Sequence, residues 1–433
     1  RPMRILQRLA AIAGGLSLSL SALAATIDPA TYGFPITNPF EATIAGTPPE
    51  LRPQLPANSA INQRDFSLNL NPQRAKRIPN IFWNVEQLPY RLARQDGPAP
   101  LIFIIAGTGV NYSSGKPEFL KQLFYGAGYH VVQLSSPTSF DFITAASSNA
   151  TPGNSMADAE DLYAVMEAIK ARHSDLAVTE YHLTGYSLGA LNSAFISQLD
   201  ETRQTFNFSR VLMINPPVSL LTSVGNLDSL SEVQVRDDGK PPSFDGLFKR
   251  LAEFFRERGR MDINDALVFD FQNSPQRLNS NQMAGLIGAA FRFSVTDIVY
   301  TSDLINQRGL ITPPGTTLNY GTKLVPFFEK AATCDFLCYA QQQLLPLWQE
   351  SNPDATLEEL NQQISLYALQ DYLQSSPKIA VMTNADDLIL GPGDLTFLRS
   401  TFGDRLTVYP LGGHCGNLNY RVNTDAMLEF FRG

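Results

Sequence analysis

Apolar runs and amphipathic stretches alternate along most of this 433-residue chain. Leu101 to Ile105 is apolar at five consecutive positions and stops abruptly at Ala106-Gly107-Thr108-Gly109, the mark of a strand buried on both faces. Downstream, the pattern predicts a strand over Tyr129–Leu134 and a helix from about Asn154 to Arg172, with Leu162, Val165, Met166 and Ile169 on one face. A strand over Glu180–Thr184, a small-residue helix over Leu188–Leu199 and a strand over Arg210–Ile214, ended by Asn215-Pro216-Pro217, complete this stretch. Such alternation predicts an α/β protein with a parallel sheet and helices on both faces. Upstream, Ile81–Val85 and Leu88–Ala93 predict two more strands, closed by the turn Asp96-Gly97-Pro98.

Between Val218 and Ser376 the rhythm stops. Leu247, Phe248, Leu251, Phe254 and Phe255 fall on one helical stripe, which predicts an all-helical cap inserted into the sheet protein. The alternation resumes with a strand over Ile379–Met382, a helix over Leu395–Thr401, a strand over Leu406–Tyr409 and a closing helix over Asn423–Phe431. The resulting organisation is a leader over residues 1–24, an extended segment over 25–78, a core over 79–217 and 377–433, and a helical cap over 218–376. The 25–78 segment is rich in Pro, Asn, Thr and Ala without a period, so it is expected to lie extended over the surface or to be partly disordered, and to carry little chemistry.

Composition adds compartment and excludes one partner class. With 44% hydrophobic and 17% charged residues the chain reads as globular. Arg1, Arg4 and Arg8 precede an apolar or small-residue run from Leu9 to Leu23, and Ala22-Leu23-Ala24 offers a small-x-small cleavage pattern. This is expected to be a bacterial secretory signal cleaved near Ala24, directing the protein to the periplasm or the medium. The alternative is a retained anchor, although the run falls short of the ~20 residues that span a bilayer. No cysteine at the cleavage site supports lipidation, and no other stretch reads as long and apolar enough for a span. Loss of the three leader arginines takes the net charge from −8 to −11, which argues against nucleic acid as a partner. Of three cysteines, Cys334 and Cys338 are the natural disulfide pair in an oxidising compartment, provided that a turn or helix end orients them. The oligomeric state is not legible.

The chemistry concentrates in Gly185-Tyr186-Ser187-Leu188-Gly189, a Gly-x-Ser-x-Gly between a predicted strand and a predicted helix. A nucleophile on so tight a turn crowds its neighbours, and residues without Cβ relieve the crowding. The rival reading is a plain Gly-rich turn. Serine needs a base to take its proton. Of four histidines, His130 and His182 lie within strands and His173 at a helix end, which assigns them to structure. His414 follows the last strand in Leu411-Gly412-Gly413-His414-Cys415-Gly416 and is the candidate base. The imidazole needs an acid to hold its tautomer. Asp386 or Asp387, in the turn after the Ile379–Met382 strand, meets the requirement, and Asp386 is taken as the acid with Asp387 as its alternative. Asp394 reads as an N-cap. Backbone amides of Gly107 and Thr108, with that of Leu188, are the candidate oxyanion donors. No Lys-Ser/Thr follows the glycines, so a nucleotide loop is disfavoured.

Taken together, the Gly-Tyr-Ser-Leu-Gly elbow, the Ala-Gly-Thr-Gly turn, the Asp-Asp turn and the Gly-Gly-His loop resemble the α/β-hydrolase superfamily over about residues 81–433, minus the insertion. The resemblance implies an eight-stranded, mostly parallel sheet, a triad at its C-terminal edge, and activity as an esterase, lipase, thioesterase or peptidase. The chain departs from the pattern at Ala106, where many members carry histidine.

The expectation is therefore an esterase acting on a small-molecule or lipid-like ester without metal or organic cofactor. Aromatic residues of the insertion, Phe327, Phe328, Phe336, Tyr339 and Trp348, are candidates to line an acyl pocket or to form the core of the cap. An acyltransferase or peptidase with the same triad, and a secreted binding protein that kept the fold without activity, are the rivals.

Overall fold

The computed structural model describes residues 25–73, 87–231, 279–316, 318, 322 and 325–433. The leader, the strand expected over Ile81–Val85 and the stripe from Leu247 to Phe255 lie outside these residues.

Among the described residues eight strands form one sheet: β1 (Gln63–Leu68), β2 (Leu88–Ala93), β3 (Ala99–Ile105), β4 (His130–Leu134), β5 (Val178–Tyr186), β6 (Arg210–Ile214), β7 (Ile379–Asn384) and β8 (Leu406–Tyr409). Their order is β1-β2-β4-β3-β5-β6-β7-β8. β2 runs antiparallel to both β1 and β4, and every later pairing is parallel. This is the α/β-hydrolase architecture, a mostly parallel sheet with helices on both faces.

The apolar run in β3 explains its central place. Phe103 registers with Val132 of β4 and Leu183 of β5. Alternate residues enter different cores: Leu101, Phe103 and Ile105 join Leu162, Val165 and Met166, whereas Ile102 and Ile104 join Phe124, Met427 and Phe431. A strand apolar at every position is stable only where both faces are covered, and each such side chain stabilises the fold by about 1.5–3 kcal/mol through burial.

The N-terminal segment departs from the expected extended chain. It holds two short helices, α1 (Pro29–Tyr32) and α2 (Pro39–Ala45), as well as β1. Their signals are caps, not periodicity: Asp28 and Asn38 accept from first-turn amides, proline occupies the first turn of each, and Gly33 and Gly46 follow. Helices so short show no hydrophobic period.

The remaining helices in the first half are α3 (Gly115–Gly126), α4 (Phe140–Ala145), α5 (Ser155–Arg172) and α6 (Leu188–Arg203). All described elements between β6 and β7 are helical, beginning with α7 (Leu220–Leu230) and α8 (Ser280–Asn306). α8 corrects the reading that only the leader approaches a membrane span. By length and composition it qualifies, with a window of mean hydropathy 1.2, but 89% of that window is buried inside the fold. Its Val295, Ile298, Val299 and Tyr300 belong to the main core, so its apolar surface faces protein.

Cys334 and Cys338 form the disulfide, with Cα atoms 5.4 Å apart. The pair straddles a helix start where Asp335 accepts from the Cys338 amide at 2.8 Å, so the bond avoids the unfavourable geometry of a helix interior. Phe336 and Tyr339 are buried core residues, and Phe327 and Trp348 pack on the core's margin. The Phe328 side chain lies outside the described residues. Asp394 is the first helical residue after Gly393, not a cap, and its carboxylate accepts from the Gly391 amide at 2.8 Å.

Candidate active site

β5 delivers Ser187 to the sheet edge on a turn with φ 56° and ψ −126°, a left-handed conformation that a residue with a side chain rarely adopts. Close packing fixes both glycines of the elbow. A Cβ on Gly185 would stand 2.2 Å from the Gly189 carbonyl oxygen, and one on Gly189 would stand 2.2 Å from that of Ile105. The Ser187 amide donates to the Ile214 carbonyl at 2.9 Å, tying the elbow to β6.

The loop after β8 brings His414 to the same edge. Its Nε2 lies 2.7 Å from Ser187 Oγ. Gly412 and Gly413 have φ 139° and 57°, and Cys415, itself non-glycine, has φ 64°. A Cβ on Gly413 would stand 2.2 Å from the Pro39 carbonyl oxygen, so α2 presses directly on this loop. Thr43 of α2 accepts from the His414 amide at 2.9 Å. From the other side, Asn384 at the end of β7 donates to the Gly413 carbonyl at 2.9 Å and to Asn417 at 2.8 Å.

The acid that meets the imidazole is Asp387, in place of the expected Asp386. His414 Nδ1 is 2.9 Å and 3.1 Å from the two Asp387 oxygens. The Asp387 carboxylate is fully buried. It also accepts from the Asn215 side chain at 2.8 Å and from the Ile389 amide at 3.0 Å. Neighbouring residues of the turn diverge, and Asp386 instead accepts from the Gly413 amide at 2.8 Å, behind the histidine. Burial pushes the Asp386 carboxyl up to about 6 against the pull of the Gly413 and Gly412 amides, and the nearby Asp387 charge adds to the rise. Two acids in sequence thus occupy different environments, one lined with donors and one half-supplied.

At the end of β3 the turn forms around Ala106 without a histidine. The Gly109 amide is taken by Thr138 Oγ1 at 2.8 Å and the Val110 amide by the Gly107 carbonyl at 3.0 Å. Among the described residues, the amides of Gly107, Thr108 and Leu188 meet no acceptor. Gly107 must lack a side chain here, since a Cβ would come within 2.9 Å of the Tyr186 ring and 3.3 Å of Ser187 Cβ. Leu188 opens α6, whose N-terminal dipole favours negative charge at this point.

These groups face one cavity of about 210 Å³, which Ser187, His414, Gly107 and Thr108 line together with Phe291 and Ser294 of α8. Of the aromatic residues expected to form a pocket, Phe327, Phe336, Tyr339 and Trp348 do not line it. The other histidines are held elsewhere: His130 between the Gln95 amide and the Ala177 carbonyl, His173 beside the Tyr90 hydroxyl and His182 beside Glu180. Among the described residues no group of three metal-ligating side chains occurs.

Reading by sequence missed Asn215, Thr43 and the α8 wall. Asn215 carried a signal, since a polar residue with no strand role ended β6; it reads as a strand terminator until the fold sets it against Asp387. Nothing local marks Thr43 or Ser294, because their roles exist only through long-range packing.

No family model matches the chain, and no curated protein matches it in sequence. Among solved structures, the chain is similar to a thermostable carboxyl esterase from Bacillus coagulans at 13% identity, covering 86% of this chain and 98% of that one, with a TM-score of 0.40. An esterase from Rhizomucor miehei is 13% identical over 88% of this chain and 84% of its own, with a TM-score of 0.41. A Pyrococcus horikoshii acylaminoacyl peptidase is 11% identical over 86% of this chain and 41% of its own, with a TM-score of 0.40.

Proposed function

We propose that this chain is an exported serine hydrolase that cleaves carboxylic esters through an acyl-enzyme. The observation that carries the reading is the continuous hydrogen-bonded path Ser187–His414–Asp387, at 2.7 Å and 2.9 Å, opening on a cavity edged by unpaired backbone amides. In this reading, Ser187 Oγ attacks the ester carbonyl carbon as its proton passes to His414 Nε2. The Asp387 carboxylate holds the Nδ1–H tautomer and stabilises the imidazolium. Amides of Leu188 and Thr108, with Gly107 beside them, receive the developing oxyanion. Collapse breaks the bond to the leaving alkoxide, which takes the proton from Nε2, and water repeats the sequence on the acyl-serine.

Export rests on the leader pattern and on a disulfide that an oxidising compartment favours. Acyl transfer or peptide hydrolysis would use the same groups. A non-catalytic binding protein has no requirement for three aligned side chains at three separate loops. Fluorophosphonate labelling tests the proposal: the natural protein is expected to label and Ser187→Ala to remain unlabelled, and absence of labelling in both would favour the binding protein. A panel of p-nitrophenyl esters of increasing acyl length then reports the depth of the acyl site.

A further inference from the structure

Part of the cavity lining is apolar, with Leu227, Ile287, Ala290 and Phe291 contributing. Among the described lining residues there is one Lys and no Arg. Lys116, in the first turn of α3, lines the cavity, and among the described residues no carboxylate does. Its ammonium makes no ion pair with any described residue. Glu118, two residues on, meets Arg91 and Lys121, and Asp387 is enclosed by His414, Asn215 and Ile389.

The contrast with Lys121 is informative. That side chain is fully buried and is met by Glu118 at 2.5 Å, Gln63 at 2.6 Å and Asn58 at 3.1 Å, as a cation withdrawn from water requires. Lys116 is partly buried beside an apolar wall with no such company. A cation so placed gains most from an anion brought to it by a ligand. Its charge is also felt at the Cys415 thiol, next to His414, which puts it within Coulombic reach of the reacting groups.

We propose that Lys116 is a specificity-determining residue that selects esters carrying a carboxylate or phosphate in the acyl or leaving portion. The proposal rests on the serine-hydrolase reading and adds to it a substrate class: anionic esters, in preference to neutral ones of the same size.

The test compares kcat/KM for three chromogenic esters: neutral p-nitrophenyl butyrate, mono-p-nitrophenyl glutarate with the anion on the acyl side, and the butyrate ester of 4-hydroxy-3-nitrobenzoate with the anion on the leaving side. At least one anionic ester is expected to exceed the neutral one by on the order of tenfold, and the preferred arm identifies the portion of substrate that Lys116 meets. In Lys116→Met the ratio should fall towards one, in Lys116→Arg it should persist, and 0.5 M NaCl should reduce it in the natural protein, as screening requires. A ratio of one in the natural protein, or a preference that survives Lys116→Met, overturns the proposal. Fluorophosphonate labelling of the same preparations separates the two layers. Failure of the natural protein to label refutes the hydrolase reading itself, whereas labelling without charge preference refutes only the role of Lys116. Since Lys116→Arg and Lys116→Met are compared by ratio, partial loss of folded protein in either leaves the comparison intact.

Discussion

Replacing Asp387 by asparagine removes one negative charge from a side chain that has no solvent contact and whose oxygens lie 2.9 Å and 3.1 Å from His414 Nδ1. In the proposed reaction that charge faces an imidazolium. With charge centres about 4 Å apart and an effective dielectric constant of about 20, the attraction is about 4 kcal/mol, which corresponds to about a thousandfold in rate. The amide has two placements. With its oxygen towards the Ile389 amide and the imidazole, its NH2 opposes the Asn215 NH2 unless Asn215 flips; the tautomer is then kept and the charge alone is lost. With the NH2 towards the imidazole, Nδ1 must accept, Nε2 carries the proton, and Ser187 has no base. Both placements predict a fall of about a thousandfold or more in kcat/KM for p-nitrophenyl butyrate. Asp386→Asn, whose side chain touches the Gly413 amide and not the imidazole, should stay within about threefold by the same energetic measure. An Asp387→Asn enzyme keeping more than about a tenth of its activity, with Asp386→Asn falling a hundredfold, would refute the assignment of the acid.

Three further outcomes follow from the same contacts. Asn215→Ala removes the shorter of the two contacts to a buried carboxylate oxygen of Asp387, leaving the 3.1 Å one to His414; loss of a hydrogen bond to a charged group costs about 1.5–3 kcal/mol, read as a lower urea midpoint together with a reduced kcat. Gly189→Ala drives a Cβ to 2.2 Å from the Ile105 carbonyl, a backbone-on-backbone clash that should cost about 3 kcal/mol or more, whereas Gly115→Ala, with open space around its Cβ, should be neutral or stabilising by up to about 1 kcal/mol in the same melts. Asp386 has a folded-state pKa raised from 3.8 to about 6, so the folded protein binds more protons than the unfolded chain in between and stability falls as pH rises through that window. Asp386→Asn should flatten the decline between about pH 4 and pH 6, by about 1 kcal/mol after allowance for its partial solvent contact, and an unchanged pH–stability curve would contradict the assignment.

The sheet was legible because its signals are local. β2 and β6 and the closing strand β8 lie where alternation and apolar runs put them, and the elbow stands between a strand and a helix as Gly-x-Ser-x-Gly requires. Ser187 and His414 were legible for the same reason, each following a strand that could be recognised. The choice between Asp386 and Asp387 was not, because adjacent residues in a turn differ only in which way the chain faces, and that is set by the Gly413 amide and the Asn215 side chain, 27 and 172 positions away from the acids they meet. The N-terminal segment was misread because helices of four and seven residues are specified by Asp28, Asn38 and their prolines, features that a search for periodicity passes over.

A physical division runs through this site. Each side chain of the proposed reacting path follows the end of a parallel strand: β5 and β7 are held on both sides by neighbouring strands, whereas the edge strand β8, which leads to His414, pairs with β7 and is bridged on its other side by Thr26. The substrate-facing wall has a different source: α2 from before the sheet, the turn leading into α3, and α8 from the insertion. These segments meet the strand ends at seams, among them the Thr43 contact to the His414 amide, the fit of Gly413 against the Pro39 carbonyl and the fit of Gly109 against Ser294, where a Cβ would stand 2.6 Å from the hydroxyl. Changes in α2 or α8 can therefore alter which ester fits without moving Ser187 relative to His414, provided these seams are kept. Breaking a seam, as with Thr43→Val, should lower kcat because the histidine loop loses an anchor, whereas a wall substitution such as Ala290→Val should act through KM and chain-length preference. If both substitutions changed kcat alone in the ester panel, the wall and the strand ends would have to be a single mechanical unit, contrary to the separation their contacts describe.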